Sequence, residues 1–147
     1  MKDGAQTIYL DIKSSFSGPI SDFIREDDQF VIGQWNNGKG EPYEGWGIWP
    51  EVGHVPGGEF QQWFMIATPG HLFLRAAICA AVAKIENYDA WRDGVGYLGV
   101  MRTTGPILYT RAIALSSPIV RRKGFGAALD RAYTIKTLLD RAGRGTS

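Results

Sequence analysis

Thr7-Ile8-Tyr9-Leu10-Asp11-Ile12-Lys13 is the stretch on which the reading of this chain turns. From Thr7 to Ile12 it is almost wholly apolar and rich in β-formers, which predicts a buried strand. Asp11 and Lys13 close the run two residues apart, so an extended backbone turns both to one face. In an α/β protein, a carboxylate ending an interior strand sits at the carboxyl edge of the sheet, where ligands bind. The plainer reading is that Asp11 opens a turn and Lys13 is a solvated charge.

Around this stretch the chain reads as one α/β domain spanning residues 1–147, a length that buries roughly two-thirds of the surface of the unfolded chain. Hydrophobic residues make up 44% and charged residues 21%, ordinary for a globular protein. A net charge of +1 supplies no basic field for nucleic acid. The single Cys79 allows no internal disulfide and no cysteine-based zinc site. It falls in an apolar run and is expected to be a buried, inert thiol. No apolar run is long enough to span a bilayer, and no secretory signal opens the chain, so a cytoplasmic protein is expected. A strand of interior character so near the start needs neighbours on both sides. We therefore expect a missing N-terminal portion, or an upstream or dimer partner that completes the sheet.

Downstream, residues 14–18 read as a loop and residues 19–24 as a helix or turn with Ile20, Phe23 and Ile24 inward. Residues 25–28 form a charged surface turn. Residues 29–33 are a second strand, placed in a mixed or parallel sheet. Residues 34–58 carry no periodicity but hold Trp35, Tyr43, Trp46 and Trp49. A loop so long and so aromatic is either a sugar-stacking surface or a cover for the core. His54 in this loop is expected to be exposed. Residues 59–67 form a third strand. A helix over 69–86 follows, with Thr68 as its cap and Leu72, Ala76, Cys79, Val82 and Ile85 as its inward face. His71 lies in its first turn, where the helix dipole disfavours protonation. Residues 87–99 read as a loop. Thr103-Thr104-Gly105-Pro106 opens another helix, ended by Ser116-Ser117-Pro118. Both helix starts expose backbone N–H groups suited to phosphate. Arg121-Arg122-Lys123 is a solvated basic run, residues 127–142 a last helix with Leu129, Ala132, Tyr133, Ile135 and Leu139 inward, and residues 143–147 a frayed tail.

Three segments, in order, resemble one family. Tyr9-Leu10-Asp11-Ile12-Lys13-Ser14 is similar to the Asp-X-Asp strand end of the glycosyltransferases that include initiation-type α-mannosyltransferases and capsular-polysaccharide transferases. Trp63-Phe64-Met65-Ile66-Ala67-Thr68-Pro69-Gly70-His71 resembles their aromatic strand followed by Pro-Gly-His and a helix. Thr104-Gly105-Pro106 resembles a third signature. The resemblance implies the C-terminal two-thirds of a GT-A-like sheet flanked by helices. It also implies a nucleotide-sugar donor, a carbohydrate or glycolipid acceptor and a divalent cation, Mn²⁺ or Mg²⁺. Transferred residue by residue, Asp11 and His71 are the catalytic candidates and Asp11 the metal ligand. Tyr9, Asp11, Lys13, Thr104 and Gly105 contact the donor, and Trp46, Trp49 and Trp63 contact the acceptor. Lys13 stands where the family has its second Asp. A lysine cannot ligate a hard cation, but its ammonium can neutralise a diphosphate.

The expected activity is transfer of a hexosyl group to an acceptor hydroxyl. Glu59 and Asp89 are the candidate bases. The alternatives are a non-catalytic carbohydrate-binding or assembly module, or an inactive truncated transferase.

Overall fold

The three expected strands form, and they form one small antiparallel sheet of order β1-β3-β2. The computed structural model describes residues 6–12, 19–22, 24–25 and 28–121. Lys13, the loop at 14–18, Phe23, the acidic pair Glu26-Asp27, the basic pair Arg122-Lys123, the expected helix at 127–142 and the tail lie outside the described residues. Strands β1 (Thr7–Leu10), β2 (Phe30–Gln34) and β3 (Phe60–Ala67) are joined to helices α1 (Leu72–Glu86), α2 (Ala90–Asp93), α3 (Gly96–Thr103) and α4 (Pro106–Arg121). The class is therefore mixed α/β. Among the described residues, no helix is long and apolar enough to cross a membrane.

The first correction concerns β1. It is an edge strand, and all four of its residues are exposed. It pairs only with β3, Thr7 opposite Ala67 and Leu10 opposite Phe64. The interior strand is β3, which hydrogen-bonds on both sides. With antiparallel neighbours there is no shared carboxyl edge, so the strand-end argument for Asp11 loses its geometric basis. Apolar side chains on both faces of Thr7–Leu10 are compatible with either place in a sheet. The choice falls to long-range pairing.

β3 carries an irregularity that sets its two faces. Ile32 pairs with Met65 and Gln34 with Phe60, so two steps on β2 span five on β3. An odd surplus reverses the in–out alternation. Phe60, Met65 and Ala67 accordingly join one core cluster with Phe30, Ile32, Phe73, Ile107 and Ile113. Phe64 and Ile66 join Val31 and Ile24 on the opposite face. Fully burying each such side chain contributes about 1.5–3 kcal/mol.

The helices depart from expectation in three ways. α1 begins at Leu72, not at Pro69, because His71 is its N-cap: His71 Nδ1 accepts from Phe73 N at 3.2 Å. Its inward residues are Phe73 and Ala77, whereas Leu72, Cys79, Val82 and Ile85 are exposed. The expected face is thus the outer one, and the Cys79 thiol is not buried. α1 is apolar almost all round, so periodicity marks no unique inner face; packing against α4, its principal helical partner, selects the one bearing Ala77. Second, residues 87–99 are not a loop. Asp89 caps α2 by accepting from Trp91 N and Arg92 N, and α3 follows directly. Asp93 ties α2 back to α1, accepting from Arg92 and Lys84. Third, α4 continues through Ser116-Ser117-Pro118 to Arg121.

α1 starts just beyond Ala67. α4 starts at the other end of β3, where Phe60 N donates to Thr110 Oγ1 at 2.7 Å and Gln62 Nε2 to Thr104 O at 3.4 Å.

Candidate functional site

The long loop between β2 and β3 is an ordered aromatic assembly. Trp35, Tyr43, Trp46 and Trp63 form a contiguous cluster. Trp35 lies 5.1 Å from Tyr43, 5.1 Å from Trp46 and 5.0 Å from Trp63 between ring centroids. Tyr43 and Trp46 close the group at 5.6 Å. All four pairs are tilted or edge-on, the geometries that ring quadrupoles favour. Trp46 is 57% exposed and Trp63 39%, so the cluster offers open ring surface.

Side-chain amides and one acid pin this loop. Gln34 Nε2 donates to Pro56 O and Gly58 O, both at 3.0 Å. Asn37 Nδ2 donates to Trp46 O at 2.7 Å and Gly57 O at 2.9 Å. Glu59, only 6% exposed, accepts from Trp35 Nε1 at 2.9 Å and from Trp49 Nε1 at 2.5 Å. One carboxylate thereby fixes two indoles. Gly47 completes the arrangement: its φ is +70°, and an added Cβ would stand 2.5 Å from Trp35 Cδ1 and 2.8 Å from Glu59 Cγ. Only glycine permits both that backbone and that approach.

The expected site residues fall into two groups. Asp11 continues the β1–β3 ladder, its N–H donating to Trp63 O at 2.6 Å. The acid is therefore next to the aromatic cluster. Trp46 and Trp63 belong to that cluster, while Trp49 is linked to it through Glu59 and faces Tyr97 at 6.4 Å. Glu59 and Asp89, the candidate bases, have both become structural: one holds indoles, the other caps α2.

His71 is at the far end of the ladder from Asp11. Thr7 pairs with Ala67 and Asp11 with Trp63, and His71 lies four residues beyond Ala67. It is buried, stacked on Phe30 at 4.7 Å, with Nδ1 committed to the cap. Burial holds its imidazole below the usual histidine range, as expected of a neutral ring. The start of α1 follows the Ala67 end of β3, whereas Thr104, ahead of α4, is reached by Gln62 nearer its other end. Gly105 has a packing role: a Cβ there would stand 2.7 Å from Met101 Cα, so its absence lets α3 turn tightly into α4.

Among the described residues, no three His, Cys, Asp or Glu side chains are grouped so as to hold a metal ion.

Sequence reasoning missed a cleft of about 510 Å³ between the sheet and α1/α4. Tyr9 and Thr104 lie on it together with Gln62, Met65 and Tyr109. These residues come from three distant segments, with α1 as a fourth wall, and nothing in their spacing signals a common cavity.

Comparison of the chain with protein-family models, with curated proteins and with solved structures gives no match.

Proposed function

We propose that this chain binds carbohydrate through the Trp35–Tyr43–Trp46–Trp63 cluster. The observation that carries the reading is a set of four mutually packed rings, two of them substantially exposed, fixed in advance by Glu59 and Gly47. The C–H faces of a pyranose are apolar, and its hydroxyls lie at the rim. A rigid aromatic surface with polar groups at its border meets both needs. Preorganisation lowers the ordering cost of binding.

Hexosyl transfer from a nucleotide-sugar donor is the catalytic form of the same reading. Its support is the order of the three motifs in the sequence and the backbone junction of Asp11 with Trp63, which brings an acid next to the aromatic cluster, while His71 lies at the far end of the ladder. This form requires a GT-A-like sheet in which β1-β3-β2 is one part, the remaining strands coming from an upstream segment or a partner chain. It also requires a divalent cation, with Lys13 as the neutralising alternative.

Binding to a glycan array, with Trp46→Ala as the control, tests the first form. Sugar binding in the absence of nucleotide, weakened at least tenfold by Trp46→Ala, is the expected result. Folded protein that retains no glycan overturns it. Calorimetric titration with uridine and guanosine diphosphates, with and without Mn²⁺, tests the transferase form. Absence of heat at millimolar nucleotide counts against donor binding by this chain.

A further inference from the structure

We propose that the sugars held by the aromatic cluster carry protonated amines, the glucosamine class, rather than neutral or acidic groups. The inference rests on carbohydrate binding by Trp35, Tyr43, Trp46 and Trp63, and it names the chemistry of the sugar. The face of an aromatic ring is its negative region, and a cation placed over it is attracted. Trp46 and Trp63 are the open rings, 57% and 39% exposed. The loop that carries the cluster has the matching sign of charge. Between Trp35 and Glu59 stand four acids, Glu41, Glu44, Glu51 and Glu59, against Lys39 and a titratable His54. Among the described residues, only Glu51 of the four has an ion-pair partner, Arg102 at 2.7 Å. Glu41 and Glu44 are exposed and flank Tyr43 in the chain, and Glu44 Oε2 is fixed by accepting from Gly40 N at 2.9 Å. An acidic sugar on this surface would meet repulsion, and a cationic one attraction.

Glu59 supplies an independent reason to expect a cation. It is buried, and both of its carboxylate oxygens accept from indole N–H groups. That pattern belongs to the ionised form, because a neutral carboxyl would turn its own O–H toward one of the two donors. Neither indole is charged, and no cation pairs with Glu59 among the described residues. Buried charges are normally paired. Trp35, one of the two indoles that Glu59 holds, is also the ring on which Tyr43, Trp46 and Trp63 all pack. The carboxylate therefore lies one indole behind the open surface, with little water between to screen it. An ammonium on that surface supplies the counter-charge at this remove, without touching Glu59 and without losing the water on its own outer side.

The test uses the full chain and two β-1,4-linked hexamers, of glucosamine and of glucose, titrated calorimetrically at about pH 6, below the range in which such amines lose their proton. The glucosamine hexamer is expected to bind about tenfold more tightly, and that preference should shrink as salt is raised. Trp46→Ala should weaken both hexamers about tenfold. Glu59→Gln should cut the preference to about threefold or less. The preference is a ratio, so any loosening of the rings in that variant affects both hexamers and cancels. Glu41→Gln combined with Glu44→Gln changes only exposed side chains and should lower the preference about twofold, which keeps the inference falsifiable should Glu59→Gln fail to fold. Equal or weaker binding of the glucosamine hexamer overturns the inference and leaves carbohydrate binding standing. So does a preference unmoved by the charge variants, or full glucosamine-hexamer affinity in Trp46→Ala, which would place the cation elsewhere. Hexalysine is the charge-only control, and its displacing the glucosamine hexamer at equal concentration would also overturn the inference. Folded protein that binds neither hexamer overturns carbohydrate binding itself, and this inference with it.

Discussion

Glu59 can be tested with a single atom exchange. Its two carboxylate oxygens accept from Trp35 Nε1 at 2.9 Å and Trp49 Nε1 at 2.5 Å. Glu59→Gln keeps the shape but leaves one acceptor, and turns an amide N–H₂ toward an indole N–H. One charge-assisted bond, about 1.5–3 kcal/mol, is lost, and one indole donor is left facing another donor. Partial exposure of the indoles returns some of that through water, so the expected net cost is about 2 kcal/mol. In urea this lowers the unfolding midpoint by roughly 1 M. The stringent form is a double-mutant cycle with Trp49→Phe, which removes the competing donor. In that background the glutamine can turn its oxygen to Trp35, and Glu59→Gln should cost under about 0.5 kcal/mol. Tryptophan emission should shift to the red in the single variant as an indole gains water. Equal costs in the two backgrounds, or a neutral single variant, would refute the claim that one acid holds both rings.

Two further outcomes follow from buried groups. His71 is held below its ordinary pKa by burial, so the unfolded chain takes up a proton before the folded one as pH falls. Stability should be level above about pH 7 and decline as pH drops through about 6.5. His71→Asn, which keeps a capping acceptor, should flatten that limb in urea unfolding measured from pH 7.5 to 5.5; an unchanged slope refutes the assignment. Tyr109→Phe removes an unpaired buried hydroxyl and should stabilise the protein by about 1 kcal/mol, raising the melting temperature by about 3 °C. A loss of that size in calorimetry would mean the hydroxyl is paired in solution.

The amino-acid sequence by itself marked the strands and the helix that follows β3, but not α2 and α3, whose span reads as a loop. Alternating and apolar runs marked all three strands to within a residue or two, and Gly105-Pro106 marked the start of α4. His54 is exposed, as a lone loop histidine should be. These are effects of near neighbours, and they are written in the order of the residues. Tertiary structure decided everything that depends on distant partners. Thr7–Leu10 is apolar on both faces and could have filled an interior place, but only pairing with β3 made it an edge. α1 is apolar on nearly every side, so its contact with α4 chose Phe73 and Ala77 and left Cys79 outside. The odd surplus of residues on β3 is invisible without its partner strand, yet it determines that Phe60 and Phe64 serve opposite cores. Asp11 and His71 look close through their motifs, and an antiparallel register sets them at opposite ends of one ladder. The same folding brought Trp35, Trp46 and Trp63 together and left Tyr109 without a partner, because closure of the chain satisfies its core first and its polar atoms only where geometry allows.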